Sequence, residues 1–295
     1  MGPPVCNRYH FPHLLPVNTN LLSIRVGQMR RKEGNSERFE CSAISIAGVR
    51  PVNEDAWCAA AVDEGLFCAV ADGIGGHAAG DVASSLAIRI LGETIRKTEI
   101  PGGDHETAAH ALRKGHSLAH EAVVEQATGT QAGMGTTLVS AYFWGEKVTL
   151  CNTGDSRCTL IRSGTVVPLT RDHSFVQGLV DRGVLTQEEA ARHPMANIIT
   201  HSLGADFIAD CAAHPLGDGD TLVLSSDGLH DYVSRQTMVK AGEAASAQEA
   251  ARILLEDAAR TSTDNITLIV VRVHAGAGWN EGGEEDGGRE GLRQR

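Results

Sequence analysis

Acidic residues recur at the ends of short apolar runs, and this recurrence restricts the fold more than any other feature of the sequence. The apolar run 66–71 is typical of a buried strand, and it ends at Asp72, which is followed by three glycines within four residues. Asp227 follows the run 222–226, Asp155 follows 151–154, and Asp264 lies just before the run 266–271. A single Asp-Gly pair after a strand is an ordinary turn. Because the pattern repeats, we expect a fold that brings several strand ends and their carboxylates together.

The order of the predicted elements indicates the fold class. Strand-like runs come first, two helical patterns follow, and a block of strands with glycine-containing turns comes next. The strand-like segments are 41–48, 56–62, 66–71, 136–144, 147–152, 157–162, 166–169, 208–213, 220–225 and 266–271, and the helical ones are 81–97, 104–126 and 246–260. Strands and helices are segregated, which favours an α+β fold with antiparallel sheets over a doubly wound parallel sheet.

Length and charge limit the classes of partner. With 295 residues, 42% of them hydrophobic, the chain can bury one large core. A net charge of -11 argues against a nucleic-acid partner, which usually requires a basic surface. No apolar run reaches the roughly 18 residues of a membrane span. We therefore expect a soluble, cytoplasmic protein that binds neither nucleic acid nor membrane.

The two ends of the sequence differ from its centre. Residues 1–39 have no sustained periodicity and contain the basic group Arg30-Arg31-Lys32, so they are predicted to form a flexible extension. Residues 275–295 are rich in glycine and glutamate, a composition typical of disorder. The folded domain is thus predicted over residues 40–274.

The cysteines predict a reduced protein. There are seven, an odd number, and no two have C-x-x-C spacing. Those in strand-like runs are Cys41, Cys58, Cys68, Cys151 and Cys158. We interpret them as reduced core thiols, and we favour this over a cysteine nucleophile because none has an electropositive setting.

The acids at the strand ends predict a metal site. Clustered carboxylates repel one another unless cations lie between them. Aspartate, glutamate and backbone oxygens favour Mg²⁺ or Mn²⁺ over zinc. Two ions bridged by Asp72 would hold a hydroxide and bind the oxygens of a phosphoryl group. Arg50 lies four residues before Glu54 and could bind that phosphoryl group in a bidentate manner; the alternative is an ordinary surface arginine.

The ordered series of motifs resembles the bacterial PPM, or protein phosphatase 2C-like, serine/threonine phosphatases over about residues 40–273. The motifs are Arg50-Pro-Val-Asn-Glu-Asp55, Asp72-Gly-Ile-Gly-Gly-His77, Gly135-Thr-Thr137, Gly154-Asp-Ser-Arg157, Leu169-Thr-Arg-Asp-His-Ser174, His193-Pro194, Ser226-Asp-Gly-Leu229 and Asp264-Asn265. The resemblance implies a central sandwich of two antiparallel sheets flanked by helices. It also implies a metal cleft at one edge and a small flap subdomain at 174–201.

The resemblance also implies roles for individual residues. Asp72 would bridge two metal ions, and Glu54 and the Gly73 carbonyl would bind one of them. The other ion would be bound by Asp227 and Asp264. Asp155 resembles an aspartate that holds a third, weaker ion together with Asp227 in bacterial members. Arg50 and Asp72 would be the catalytic residues, with Arg50 binding the substrate.

Several positions depart from the family pattern or leave alternatives open. Ile74 stands where many eukaryotic members have a histidine that acts as general acid, so His77 and a metal-bound water are both candidates. His201 occupies a position where relatives commonly have arginine, and His230 one where threonine is usual. The pair His116 and His120, one helical turn apart, could bind zinc, but without a third ligand we favour a solvated helix face.

These observations predict a phosphatase that hydrolyses phosphoserine and phosphothreonine through attack by a metal-bridging hydroxide. The enzyme would bind two Mn²⁺ or Mg²⁺ ions, and the ion at Asp155 would be a third. It would act as a monomer on phosphorylated proteins and would counteract a Ser/Thr kinase. One alternative is a regulatory binding module that keeps the fold with little or no catalysis. A two-metal phosphodiesterase or nuclease is a second alternative, disfavoured by the acidic charge.

Overall fold

Two antiparallel β-sheets pack face to face in the computed structural model, which describes residues 20–25, 38–63, 65–75 and 79–275. The strands are β1 (Asn20–Arg25), β2 (Phe39–Ile46), β3 (Ala56–Val62), β4 (Gly65–Ala71), β5 (Gly73–Ile74), β6 (Gly135–Thr136), β7 (Leu138–Trp144), β8 (Lys147–Thr153), β9 (Arg157–Arg162), β10 (Thr165–Pro168), β11 (Asp210–Pro215), β12 (Thr221–Ser225) and β13 (Ile266–Val273). The six-stranded sheet has the order β1-β2-β13-β12-β9-β10, and the five-stranded sheet has the order β11-β8-β7-β4-β3. Strands β5 and β6 form a short ribbon.

Helices cover the outer faces of both sheets. In chain order, the α-helices of the described residues are α1 (Gly80–Lys97), α2 (His105–Gln126), α3 (Phe175–Asp181), α4 (Gln187–Ala190), α5 (Asp227–His230), α6 (Arg235–Gly242) and α7 (Ala247–Ala258). Helices α1 and α2 pack on the five-stranded sheet, and α6 and α7 pack on the six-stranded sheet. The predicted α+β sandwich of two antiparallel sheets flanked by helices is confirmed.

The sequence of β4 shows why this strand is buried on both of its faces. Successive side chains of a strand point to opposite faces. Leu66, Cys68 and Val70 belong to the core between the sheets, whereas Phe67 and Ala69 pack under the helices. Because both faces are covered, the strand reads as a continuous apolar run. Burying one large apolar side chain contributes about 1.5–3 kcal/mol, so a polar substitution here would be costly.

Polar side chains cap the starts of α2 and α7. Asp104 precedes α2 and accepts hydrogen bonds from the backbone N–H groups of Glu106 and Thr107. Ser246 precedes α7 and accepts from the N–H of Glu249 at 3.1 Å. The Glu249 carboxylate accepts from the N–H of Ala245 at 2.9 Å. Each contact satisfies a backbone donor that the helix itself leaves free.

Cys151 and Cys211 form a disulfide, which corrects the prediction that Cys151 is a reduced thiol. The two residues are direct partners in the register of β8 and β11. Pairing of β8 with β11 joins segments separated by the whole of residues 154–209, and no local pattern reveals it. Cys41, Cys68 and Cys158 are buried thiols in the sandwich core, in agreement with the prediction.

His116 is buried, so the interpretation of His116 and His120 as a solvated helix face is wrong. The His116 ring lies 3.0 Å from the Thr153 hydroxyl through Nδ1 and 2.9 Å from the Ser140 hydroxyl through Nε2. Burial lowers the pKa of His116 to about 3, so the imidazole is neutral. His120 stacks on Phe207 with ring centroids 4.7 Å apart. His116 thus faces the sheet that α2 covers, and His120 faces the segment that leads into β11.

Residues Asn20–Arg25 form strand β1, which pairs antiparallel with β2. They lie within residues 1–39, which the sequence predicts to be a flexible extension. An unpaired strand edge offers a row of backbone donors and acceptors to any nearby segment, and β1 occupies that edge of β2. The rest of the predicted extension up to residue 37, and the predicted tail from residue 276, lie outside the described residues.

None of the helices in the described segments combines the length and the apolar character that crossing a membrane demands.

Candidate metal centre

Four aspartates are positioned by strand ends, as the sequence predicts. Asp72 follows β4 directly, and Asp155 lies two residues after β8. Asp227 begins α5 just after β12, and Asp264 precedes β13 by two residues. Their charges act on one another: after burial, the charges of Asp227, Asp155 and Asp264 all raise the pKa of Asp72. The fold therefore brings these four acids to one edge of the sandwich.

Glu54 and Gly73 lie together beside the start of α1. A Cβ atom on Gly73 would come within 2.3 Å of the Gly80 carbonyl oxygen and 2.6 Å of the Glu54 carbonyl oxygen, so only glycine fits there. The backbone N–H of Glu54 donates to the Asn265 side chain at 2.8 Å. Ser84 on α1 donates to the Glu54 carbonyl at 2.5 Å. These contacts bring Glu54 close to the backbone that follows Asp72.

The backbone of Asp72 is held on both sides by the segment that opens β7. The N–H of Asp72 donates to the Thr137 hydroxyl at 2.9 Å. Its carbonyl accepts from the N–H of Thr137 at 2.9 Å and from the Thr136 hydroxyl at 2.8 Å. The Thr137 hydroxyl also lies 2.7 Å from that of Ser156, next to Asp155. One threonine thus ties together the turns that position two of the acids.

Burial and mutual repulsion make these carboxyls hold protons more tightly than usual. Burial, with the charges of Asp227 and Asp172, raises the pKa of Asp155 to about 8. Burial, with the charges of Asp231 and Asp264, raises the pKa of Asp227 to about 6. Burial raises the pKa of Asp72 well above its ordinary value, and Asp72 hydrogen-bonds to Asp227. Two carboxylates this close repel each other when both are ionised, and a cation between them would relieve that repulsion.

Two further acids belong to this group and were not singled out from the sequence. Asp55 Oδ2 accepts from the Ser226 hydroxyl at 2.8 Å, and burial raises its pKa to about 7. Its Oδ1 is buried and has no hydrogen-bond partner among the described residues. Asp231 lies one helical turn after Asp227, and burial raises its pKa as well. The i, i+4 spacing from Asp227 to Asp231 was visible in the sequence and could have identified the second of them.

Arg50 lies at the exposed rim of the acid group. Its Nε donates to the Thr263 carbonyl at 2.9 Å, and its Nη2 donates to Asp264 Oδ2 at 2.8 Å. About half of the Arg50 side chain remains exposed, at 51%. Arg50 is therefore next to a predicted metal ligand, with one edge of the guanidinium directed to the protein and the rest accessible.

A second arginine, Arg157, contacts two other aspartates near the acid group. Arg157 binds the Asp172 carboxylate through Nε at 2.9 and 3.1 Å and through Nη2 at 2.6 Å. Its Nη1 lies 3.9 Å from Asp231 Oδ1. This bidentate pair connects the acid group to the segment that leads into α3.

The chemistry of these donors fits a hard divalent cation. All of them are carboxylate or backbone oxygens, the ligands that Mg²⁺ and Mn²⁺ prefer. Within the described segments, no three His, Cys, Asp or Glu side chains already form a ligand group for a metal ion. The raised pKa values of Asp72 and Asp227 and the buried Asp55 Oδ1, which has no partner among the described residues, fit a site that a cation would complete.

The histidines singled out from the sequence have different positions. His77, a candidate general acid, lies outside the described residues. His230 is turned inward, with Nδ1 3.0 Å from the Ser225 hydroxyl, and burial lowers its pKa well below the usual value. His201 lies between β10 and β11, with its ring 5.5 Å from that of His173.

The raised carboxyl pKa values predict how the stability of the metal-free protein depends on pH. Burial raises the pKa of Asp155 from 3.8 to about 8, so between these values the folded protein binds more protons than the unfolded chain. The free energy of unfolding must therefore decrease as pH rises through this window. We expect Asp155→Asn to remove at least about 1.4 kcal/mol of this decrease, or about 2–4 °C in Tm. The measurement is thermal unfolding in chelator at pH 5 and pH 8.

The matched control for this prediction is Asp206→Asn, which removes an exposed aspartate. It should leave the pH dependence of Tm as in the wild type. Equal pH dependence in wild type and Asp155→Asn would show that burial of Asp155 does not govern the stability of the metal-free protein.

Comparison with known proteins gives a consistent result. The family model described as protein phosphatase 2C matches residues 48–275. The chain is 39% identical over 227 residues to the serine/threonine protein phosphatase PstP of Mycobacterium tuberculosis, a match covering 76% of this chain and 43% of that protein. It is 35% identical over 210 residues to the serine/threonine phosphatase stp of Listeria welshimeri, covering 68% of this chain and 82% of that protein. The chain thus spans less than half the length of the PstP relative.

A solved structure extends the similarity to three dimensions. The catalytic domain of the serine/threonine protein phosphatase PstP, in complex with two manganese ions, superposes on this chain with a TM-score of 0.69 at 39% identity. The match covers 81% of this chain and 99% of that domain.

Proposed function

Because this chain belongs to the protein phosphatase 2C family, we propose that it is a metal-dependent phosphatase that removes phosphate from phosphoserine and phosphothreonine in proteins. The observation that supports this most directly is the group of buried acids at one edge of the sandwich, where burial and neighbouring charges raise the pKa of both Asp72 and Asp227. A regulatory binding module without catalysis would have no need to keep several repelling carboxylates, each raising the pKa of its neighbours.

We propose Mn²⁺ or Mg²⁺ as the cofactor, with two ions as in the PstP catalytic domain solved with two manganese ions. Asp72 would contact both ions, with Glu54 and the Gly73 carbonyl on one side and Asp227 and Asp264 on the other. Asp155, near Asp227, would hold a third and weaker ion. When bound, such ions lower the pKa of water and neutralise phosphoryl oxygens.

Arg50 is the proposed phosphate-binding residue. It lies beside Asp264 at the rim, where a phosphate next to the acid group would lie close to a half-exposed guanidinium. A planar guanidinium can bind two phosphate oxygens at once, which orients the phosphorus for attack. Its contact with Asp264 keeps the side chain at this rim.

Replacement of Arg50 should separate phosphate binding from metal binding. We expect Arg50→Ala to lower kcat/KM by about 30-fold, since a charge-assisted contact to the phosphate contributes about 2 kcal/mol. Metal affinity should not weaken, because the variant removes a cation that competes for the Asp264 carboxylate. Arg50→Lys should recover only part of the activity, since an ammonium does not reproduce the bidentate contact. Steady-state kinetics and calorimetric titration with Mn²⁺ measure the two effects.

A collapse of Mn²⁺ affinity in Arg50→Ala, or kinetics equal to the wild type, would assign Arg50 a structural role. Arg89→Ala is a suitable control, because Arg89 is an exposed arginine on α1 that pairs only with Glu93 in the described segments.

The wider setting follows from the same proposal. We propose that residues 40–274 form the phosphatase domain, and that residues 174–201 form its flap. The protein would act in the cytoplasm as a monomer, on phosphorylated proteins, and would counteract a Ser/Thr kinase.

One experiment tests the proposed function directly. Phosphate release would be measured from a small aryl phosphate and from a phosphothreonine peptide in the presence of Mn²⁺, with the doubly substituted Asp72→Asn/Asp227→Asn protein as a blank. Release by the wild type alone is the expected result. If the wild type binds the phosphopeptide but releases no phosphate from either substrate, the binding module becomes the better interpretation.

A further inference from the structure

A cavity of about 250 Å³ lies between α3 and the segment that leads from the flap into β11. We call it the flap pocket. Its lining includes Arg171, His173, Phe175, Arg182, His201 and Ile208. Pockets for drug-sized ligands are about 300–1,000 Å³, so the flap pocket has the size for a single side chain.

The inner wall of the flap pocket is attached to the turn that carries Asp155. The backbone N–H of His173 donates to the Gly154 carbonyl at 2.9 Å, and His173 Nδ1 accepts from the N–H of Gly154 at 3.1 Å. Asp172, the neighbouring wall residue, is bound by Arg157 through three contacts. The flap pocket therefore adjoins the acid group, and an extended peptide rises only about 3.3 Å per residue. A residue a few positions from the phosphorylated one can reach it.

Most charges around the flap pocket are already neutralised. Arg171 pairs with Asp181, and Asp172 pairs with Arg157. Because Nδ1 of His173 accepts from a backbone N–H, its Nε2 carries the proton and donates to Asp210 Oδ2 at 3.2 Å. Arg171 and Asp172 thus bring no net charge to the pocket, and the Asp210 carboxylate, which the neutral His173 does not compensate, is not among the lining residues.

Arg182 is different, because no acidic side chain of the described residues pairs with it. Its Nε donates to the Gly178 carbonyl at 2.8 Å, and its Nη groups remain available. His201 uses Nδ1 for the Thr200 hydroxyl at 3.0 Å, which leaves Nε2 available. Phe175 and the 39% exposed Ile208 form an apolar border. The pocket thus offers unpaired donors beside apolar surface, which suits an anionic side chain with a short aliphatic stem.

We propose that the flap pocket binds an anionic side chain of the substrate protein, close in sequence to the phosphorylated residue. This inference rests on the proposed phosphatase function. A glutamate and a second phosphorylated residue share the required chemistry, and a lysine or arginine would be repelled by Arg182. Arg182 and His201 are therefore residues for substrate selection, whereas the acid group carries the reaction.

The test compares phosphothreonine peptides that differ at one position. Glutamine, glutamate or phosphoserine is placed in turn at the second, third and fourth residue on each side of the phosphothreonine, and kcat/KM is measured with Mn²⁺. At one of these positions the wild type should prefer the glutamate peptide over the glutamine peptide by about fivefold, the upper range for a partly exposed charge pair. Comparison of kcat/KM between the phosphoserine and glutamate peptides shows whether the pocket prefers a phosphate or a carboxylate. The preference should lie mainly in KM, because the contact is made equally before and during the reaction.

Variants assign the preference to the pocket. Arg182→Ala should lose it while activity on the aryl phosphate stays as in the wild type, and Arg182→Glu should prefer a lysine peptide. Arg192→Ala is the matched control, since Arg192 is another exposed flap arginine but lies near α4, outside the flap pocket. It should retain the wild-type preference. Thermal unfolding of each variant checks that folding is intact.

Equal turnover of all peptides by the wild type, or an unchanged preference in Arg182→Ala, would overturn the proposal. If the wild type releases no phosphate even from the aryl phosphate, the proposed function fails and the pocket is judged separately. The affinities of the intact peptides, measured by calorimetry, then test the flap-pocket proposal. Tighter binding of the glutamate peptide than of the glutamine peptide by the wild type, but not by Arg182→Ala, supports the proposal. Equal binding of the two peptides by the wild type refutes it.

Discussion

Removal of divalent ions should abolish phosphate release, and Mn²⁺ or Mg²⁺ should restore it. Metal ions contribute several kcal/mol of charge stabilisation in phosphoryl transfer, so we expect a loss of about 10³-fold or more. The described site contains no substitute for the positive charge of the metal ions. Its principal ligand groups are carboxylates, and Arg50 supplies a single positive charge at the rim. Without a cation, burial and the charges of neighbouring acids raise the pKa of Asp227, and no group of the described site lowers the pKa of a water molecule as a bound metal would. The measurement is turnover of an aryl phosphate before and after dialysis against chelator, followed by titration with each ion.

Controls for this result concern the protein and the ion. Thermal unfolding should show that the dialysed protein is still folded, and K⁺ at the same ionic strength should not restore turnover. Undiminished turnover in excess chelator would exclude the proposed mechanism.

Asp227→Asn should reduce kcat by about 10²-fold or more. Asparagine keeps the size of the side chain but removes the negative charge, and substitutions in the surroundings of a bound metal typically cost 10–100-fold even when they do not remove a ligand. The folded state should not suffer, because burial already raises the pKa of Asp227 to about 6 and a neutral side chain costs less to bury. Steady-state kinetics at saturating Mn²⁺, with Mn²⁺ affinity from calorimetry, measure the effect.

Asp218→Asn is the matched control, since Asp218 is also followed by glycine but is 60% exposed and pairs with Arg38. It should retain wild-type kinetics. A kcat of Asp227→Asn within threefold of the wild type would remove Asp227 from the proposed ligands.

Local sequence patterns were sufficient for the α+β class with antiparallel sheets and for the gathering of the acids, whereas the two-sheet sandwich was implied by the family resemblance. Local patterns marked β4 and its abrupt end at Asp72, and the same pattern repeated at Asp155 and Asp227. Because the strands that end there are interior strands of two packed antiparallel sheets, their ends converge on one edge. The burial of His116 was also readable, since it follows Leu112 by four residues and shares the buried face of α2.

Contacts between distant segments could not be predicted in this way. The pair Arg50–Asp264 joins residues 214 apart, and the hydrogen bond from Ser226 to Asp55 joins residues 171 apart. The disulfide of Cys151 depends on which strand returns to the edge of the five-stranded sheet. Such contacts are determined by strand order, and periodicity along the chain contains no information about that order.

The proposed flap, residues 174–201, is attached to the outermost strands of the two sheets. The chain enters the flap from β10, the outermost strand of one sheet, and leaves it into β11, the outermost strand of the other. Each of these strands is hydrogen-bonded to a single neighbour, so insertions or deletions within the proposed flap, residues 174–201, would leave the strand pairing of both sheets intact. The turns that hold Asp72, Asp155 and Asp227 all lie outside this interval. We therefore expect substrate preference to diverge between relatives through replacement of the proposed flap, while the acids at the strand ends keep their positions in the scaffold.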